Sequence, residues 1–573
     1  MPINYNRNTN YLVALLMLVL LQKNVRAQVV NGYNYTSQKS KTVTSAGVVS
    51  AHPLASKVGL LILKQGGNAF DAAIAVQLTL AVVYPGAGNI GGGGFMVARQ
   101  HNGNSLALDY RETAPAKATR DMYLDSAGNA QTNLSQNGHL AAGIPGSIAG
   151  MYATLPYCKL KWATLIQPAI NYARNGFAIT AAEASNLNAA RKYFVQHNTH
   201  TPALVKSTAW KTGDTLIQNE LANTLVRIKE KGAKGFYQGE TAKLIVAEMG
   251  KRGGIITLDD LKNYQPKVRK VLAFNYKKNY TIITMPPPSS GGILLAQMLN
   301  MLEDRAVNDM PFQSADQVQL VTEVERRAYA DRAAHLGDAD YYPVPIKVLT
   351  SKAYATMRMA NYTANTAQIS TNIQAGEIHK ESEETTHISI IDKAGNMVSV
   401  TTTLNGNYGS KTVVDGAGFL LNNEMDDFSI KPGVPNMYGA IGGEANCIQP
   451  GKRMLSSMTP TLVLKNNKPY LVIGTPGGTT IITSVLQTIL NIIEYDMTAA
   501  DAVNKPKFHH QWLPDVIYTE PAFNKETAAK LKAMGYSIEP RGLIGRTELI
   551  KIIGKNKIEL AADIRGDDSA EGY

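Results

Sequence analysis

Between residues 386 and 403 the chain changes polarity at nearly every second position. In Thr386–Ile391 the apolar Ile388 and Ile390 alternate with His387 and Ser389, and Met397–Thr403 reads Met-Val-Ser-Val-Thr-Thr-Thr. Period-two alternation rich in β-branched residues predicts two strands. Asp392-Lys393-Ala394-Gly395-Asn396 between them supplies the turn formers. A hairpin centred on Ala394 pairs Asp392 with Asn396. Carried outward, that register sets Thr385 opposite Thr403, with Cβ atoms roughly 4.5–5.5 Å apart.

The same reading extends along the chain. Asn68, with Asp71 three positions on, caps a helix that runs through Val83. Asp71 and Gln77 inside that apolar run mark it as a buried helix and not a membrane span. Gly91-Gly92-Gly93-Gly94 leads into a strand at 95–98. It lacks the Lys-Ser/Thr ending of a phosphate loop and the spacing of a dinucleotide fingerprint, so it reads as a close backbone approach. Met285 to Gly292 is a stiff turn into a helix from Ile293, and residues 315–336 form a long helix. Residues 470–473 read as a strand and 480–493 as a helix, with Gly477-Gly478 at the turn between them. Residues 340–384 are polar and end in Glu381, Glu383 and Glu384, which predicts a mobile tail if the chain is cut there.

Composition narrows the class. Residues 1–27 hold Arg7, an apolar core at 11–21, and Val25-Arg26-Ala27, the pattern of a cleavable signal peptide whose core is too short to span a bilayer. That predicts export, to a periplasm or as a secreted protein. Removing it takes away Arg7, Lys23 and Arg26, which lowers the formal charge from +12 by three, to +9. The remaining lysines and arginines are scattered, without a basic stripe interleaved with aromatics, so nucleic-acid binding is not expected. Cys158 and Cys447, far apart and without metal spacing, predict no essential disulfide. Adjacent His509-His510 has no ligand partners at metal spacing and reads as structural, as does His387.

The chemistry centres on Thr385. A threonine hydroxyl needs a base, and a chain-terminal α-amine, with a pKa near ~7.7–8.0, can serve at neutral pH. Cleavage between Glu384 and Thr385 would give one residue both groups. Thr385 would attack the Glu384 carbonyl, form an ester and be released by water, leaving Thr403 to orient the new nucleophile.

The blocks Asp109-Tyr110-Arg111-Glu112, Thr385-Thr386-His387, Thr403-Leu404-Asn405, Leu421 to Phe428, Arg453 to Met458 and Gly474-Thr475-Pro476-Gly477-Gly478 resemble, in this order, those of the γ-glutamyltransferases. These enzymes, also called γ-glutamyltranspeptidases or glutathione hydrolases, belong to the N-terminal nucleophile hydrolase superfamily. The resemblance runs from about Gly47 to Tyr573. It implies an α+β fold, a four-layer αββα sandwich built by two fragments of one precursor. The parts are a signal peptide (1–27), a large subunit (28–384) and a small catalytic subunit (385–573), which together form a heterodimer.

A γ-glutamyl donor carries an α-carboxylate and an α-ammonium remote from the bond broken, so its pocket needs a cation and hydroxyl donors with anions nearby. By resemblance these are Arg111, Ser456 and Ser457 for the carboxylate and Asn405, Glu424 and Asp427 for the ammonium. Glu424 stands where some members have glutamine. Gly477 and Gly478 would supply the oxyanion N–H donors, and Tyr438 would gate the site from a lid loop. Expected partners are glutathione and other γ-glutamyl compounds, with water, amino acids or dipeptides as acceptors. No cofactor or metal is needed. A cephalosporin or glutaryl acylase of the same superfamily, and an exported binding protein that never matures, are the competing readings.

Overall fold

The computed structural model describes residues 30–373, 385–431, 434 and 443–573. The signal segment, Glu384 and Tyr438 lie outside these residues. Helices and two large antiparallel sheets alternate along the chain, giving the mixed α and β content expected.

The central hairpin forms as the polarity pattern predicts, with strands Thr386–Ile391 and Met397–Thr403 paired from Thr386↔Thr402 to Ile391↔Met397. The Asp392 amide donates to the Asn396 carbonyl at 3.1 Å, closing the turn. This hairpin sits inside a seven-stranded sheet ordered Ser569–Gly572, Gly47–Ser50, Thr386–Ile391, Met397–Thr403, Gly93–Arg99, Ser105–Asp109, Lys267–Arg269. A second seven-stranded sheet runs Ser40–Val43, Lys557–Ala562, Glu548–Gly554, Lys468–Gly474, Thr461–Lys465, Tyr280–Thr284, Leu272–Tyr276.

Every residue of the hairpin strands is buried, because both faces are covered. Ile388, Ile390, Val398 and Val400 pack into one core with helices Pro53–Lys64 and Ala69–Val83. Ile391 and Met397 join Val472, Leu462 and Ile550 in a core between the sheets. The second sheet turns its other face, through Ile473, Leu471 and Val463, to helices Gly291–Leu302, Ala315–His335 and Thr480–Ile493.

The polar positions of the hairpin therefore meet the second sheet, not solvent. Ser389 Oγ donates to the Glu548 carbonyl and Ser399 Oγ to the Ile473 carbonyl, each at 3.0 Å. His387 is held by Thr401 at 2.8 Å, and burial lowers its pKa to about 3, so it is neutral. The residue beneath its ring is Gly474, where a Cβ would lie 2.2 Å from the nearest imidazole carbon.

Helix Ala69–Val83 is buried all round. Its Asp71 closes a capping box with Asn68 and accepts the Lys159 and Leu160 amides. The glycine run is the close approach expected, since a Cβ on Gly92 would fall 2.0 Å from the Thr403 carbonyl. Up to residue 373 the polar stretch is folded, with helices Ile346–Leu349 and Lys352–Arg358. Leu349, Ala355 and Met359 are apolar enough to bury in the second-sheet core, and the Gln368 amide accepts from Arg327.

Replacing Gly474 with alanine should force the His387 ring off Thr401 or push the sheets apart. A loss of about 1–3 kcal/mol is expected, read as a lower unfolding midpoint. An unchanged midpoint would show that this contact is not a constraint.

Candidate functional site

Thr385 directly precedes strand Thr386–Ile391, and the ladder, extended by one pair beyond Thr386↔Thr402, faces it with Thr403. Thr385 is 7% exposed and opens onto a cleft shared with Gly477, Tyr84, Asn407, Arg546 and Arg565. Thr403 Oγ1 accepts the Asn405 amide at 2.7 Å, and the Thr403 carbonyl accepts Asn89 Nδ2 at 2.8 Å.

Gly477 and Gly478 have φ of +136° and +54°, conformations that glycine adopts readily. They end strand Lys468–Gly474 and lead into helix Thr480–Ile493. The Gly477 carbonyl is tied back by the Thr480 amide at 3.0 Å and its hydroxyl at 2.7 Å. Among the described residues, the N–H groups of this pair donate to no protein acceptor. Donors of this kind at a helix N-terminus suit a developing negative charge.

Asn405 adopts a left-handed φ of +73° and donates from Nδ2 to the Asn423 carbonyl at 3.0 Å. The Asn423 amide in turn donates to the Leu404 carbonyl at 3.0 Å. The end of the hairpin that follows Thr385 is thus stitched to the turn Glu424–Asp427. Arg111 reaches the same turn from strand Ser105–Asp109, its amide held by Asp109 Oδ1 at 3.0 Å and its carbonyl by Tyr264. Its guanidinium also donates to the Met454 and Leu455 carbonyls, at 3.4 and 3.3 Å. Ser456 and Ser457 follow directly. Ser457 Oγ accepts from Arg332 at 3.3 Å, and Ser456 Oγ accepts the Met458 amide.

The sequence reading set the cation at one end of the pocket and the anions at the other, and in the structure the two touch. Arg111 is ion-paired with Glu424 and, at 2.5 Å, with Asp427. A buried guanidinium needs neutralising, and Glu424 and Asp427 provide it. Glu112, next to Arg111 in the chain, is fully buried with its carboxyl 3.7 Å from the guanidinium. Three carboxyls therefore share one guanidinium. Burial raises Glu424 well above its ordinary value and pushes Glu112 up to about 8, against the pull of Arg111. Asp427 is raised by burial too.

Sequence reasoning missed Tyr84, Asn407, Arg546 and Arg565, which lie far from Thr385 along the chain in no shared motif. His509 bonds to Thr483 and Gln511, and His510 to Asp515, so both are engaged in the fold. His200, Glu248 and Asp415 bring potential ligand atoms within 4.8 Å of one another, but the Lys251 ammonium already bridges the two carboxylates at 2.8 and 2.9 Å. Cys158 and Cys447 are both free thiols. Among the described residues no helix is long and apolar enough to cross a membrane.

Comparisons with known proteins agree with this arrangement. A family model described as gamma-glutamyltranspeptidase matches residues 55–573. The glutathione hydrolase proenzyme of Escherichia coli K12 is 45% identical over 536 residues, covering 92% of this chain and 91% of the relative. Helicobacter pylori gamma-glutamyltranspeptidase is 46% identical with a TM-score of 0.56, over 57% of this chain and 94% of that one. A cephalosporin acylase from Bacillus halodurans superposes at a TM-score of 0.81 and 25% identity, over 94% of this chain and 98% of that one. With a site of this composition and a match along most of its length, the chain belongs to the γ-glutamyltranspeptidase family and is an enzyme of the glutathione hydrolase type.

Proposed function

We propose that the chain is an exported precursor that cuts itself between Glu384 and Thr385 and then moves γ-glutamyl groups through a Thr385 ester. The observation that carries this is the setting of Thr385. It stands at the cleft beside Gly477, and its nearest strand imidazole, His387, is neutral, buried and bonded to Thr401. An α-amine released by cleavage fills the missing role of base.

In the first half-reaction Thr385 Oγ attacks the γ-carbonyl of glutathione or a related amide, and Gly477 and Gly478 hold the oxyanion. Thr403 orients the hydroxyl, and the amine portion leaves with a proton. Water or an acceptor amino acid or dipeptide then resolves the ester. Arg111, Ser456 and Ser457 take the donor carboxylate, while Asn405, Glu424 and Asp427 take its ammonium, which replaces Arg111 as the carboxylates' partner. Tyr438 is assigned the gate.

Residues 1–27 are read as the signal peptide, 28–384 as the large subunit and 385–573 as the small one, in a periplasmic or secreted protein. Each sheet draws strands from both sides of residue 385, so cleavage leaves the fragments interleaved as a heterodimer. The three cores, two between a sheet and helices and one between the sheets, support the αββα sandwich. Relatives named as proenzymes, and a solved transpeptidase chain that spans 57% of this one, support two fragments. An acylase for side chains without an α-amino group has no use for the paired carboxyls of Glu424 and Asp427.

Thr385→Ala should stay a single full-length band on a denaturing gel and lose glutathione hydrolysis by at least about a thousandfold. The parent gives two bands, the smaller with the mass of residues 385–573. Splitting and undiminished turnover by the variant would end the proposal.

The parent should release p-nitroaniline from the γ-glutamyl anilide far faster than from the glutaryl anilide. The reverse order would assign it to the acylases.

The crowded carboxyls also set a pH dependence. Burial raises Glu112 from 4.5 to about 8 and Glu424 well above 4.5, so the folded chain binds more protons than the unfolded chain as pH rises above about 4.5, at Glu112 up to about pH 8. The cluster therefore costs nothing in stability below that window and increasingly destabilises the fold as pH rises through it. Glu424→Gln removes one such carboxyl, so its unfolding midpoint should gain on the parent's between pH 5 and pH 8. A difference independent of pH would show that Glu424 is ionised in the fold.

A further inference from the structure

Helix Ala315–His335 reaches the site through one buried arginine, Arg332, which is 5% exposed. Its Nε donates to Ser290 Oγ at 2.9 Å, and Ser290 Oγ passes the bond on by donating to the Ser456 carbonyl at 2.8 Å. Its Nη2 donates to Ser457 Oγ at 3.3 Å. The guanidinium thus straddles the peptide link between the two serines, holding one by its carbonyl and the next by its hydroxyl. Backbone bonds fix the same link, from the Ser290 amide to the Ser456 carbonyl at 2.7 Å and from the Ser456 amide to the Pro288 carbonyl at 2.9 Å.

The roles of the two hydroxyls follow from what each neighbour can do. A guanidinium has N–H donors and no acceptor, so toward Arg332 the Ser457 oxygen can only accept. Ser456 Oγ likewise accepts the Met458 amide at 3.2 Å. A serine whose oxygen accepts from the protein keeps its one hydrogen for a different acceptor, and a carboxylate oxygen is the acceptor such a donor suits best. The charge of Arg332 is felt in the pocket as well. Burial raises Asp427, and Arg332 is the second cation, after Arg111, that pulls against it.

One turn before Arg332, Tyr329 Oη donates to the Thr479 carbonyl at 2.5 Å, next to the Gly477-Gly478 turn. Residues three apart share a helix face. One face of a helix from before residue 385 therefore braces both the glycine turn and the serine pair, which lie after it in the chain.

We propose that Arg332 is a positioning residue for donor selection, holding Ser456 and Ser457 as hydroxyl donors so that the pocket demands an α-carboxylate. The assignment rests on the γ-glutamyl transfer reading above. Arg332 acts through the serines and leaves direct pairing with the carboxylate to Arg111.

The test uses the processed two-fragment enzyme and two donors, γ-glutamyl-p-nitroanilide and 4-aminobutanoyl-p-nitroanilide, the same amide without its α-carboxylate. The parent should favour the first in kcat/KM by at least about a hundredfold, and Arg332→Met should cut that preference at least about tenfold, the loss expected of a hydrogen bond to a charged group. The cut should fall on KM for the γ-glutamyl anilide, with kcat and the use of the carboxylate-free anilide little changed. Arg332→Lys, which keeps a donor for Ser457 but not the fork, should recover part of it. Ser290→Ala, which removes only the partner of Nε, should give a smaller cut in the same direction, and it decides the matter if the arginine variants do not yield two fragments. An unchanged preference, or equal losses on both anilides such as a loosened fold would give, overturns the positioning role alone. A parent that uses the two anilides equally overturns it too. No release from either anilide by the parent sinks the γ-glutamyl reading and this role with it.

Discussion

Burial of both faces of the hairpin Thr386–Ile391/Met397–Thr403 is the constraint on which the site depends. Isoleucines and valines fix one face against the helices, and Ser389 and Ser399 fix the other by bonding to backbone carbonyls of the second sheet. A slip of one residue would turn every one of these groups to the wrong side. The register is therefore pinned, and Thr385 emerges where the strand ends, beside the Gly477 turn that closes a strand of the other sheet. Thr385, the proposed nucleophile, and the proposed oxyanion donors belong to different sheets, so the contact between sheets sets their relation.

The Arg111 cluster rests on a different balance. One guanidinium among three buried carboxyls is stable only if protons or a cation supply the missing positive charge. A donor ammonium would do so, and its carboxylate would take up Arg111 in exchange. The cleft on the Thr385 side is lined by Arg546 and Arg565, with no acidic side chain among its described lining residues.

Interleaved strands would hold the fold together after the proposed cut before Thr385. The neighbours of Thr386–Ile391 are Gly47–Ser50 and Met397–Thr403, one from each side of residue 385. No plane through the fold separates the two pieces without breaking both sheets and the core between them.

The sequence by itself determined the local elements and the chemical inventory. Alternating Ile and Val gave the hairpin and its register, Asn68 with Asp71 gave a capped helix, and ordered motif blocks gave the family. These signals rest on spacing along the chain, which neighbouring residues enforce. Only tertiary structure decided that the polar face of the hairpin is buried, because alternation looks the same whether the second face meets water or another sheet. It also decided that Glu112 is a buried member of the Arg111 cluster, that residues 340–373 are packed, and that Arg546 reaches the cleft of Thr385. Those facts depend on which distant segments meet, and ion pairing or burial between segments hundreds of residues apart leaves no period in the chain.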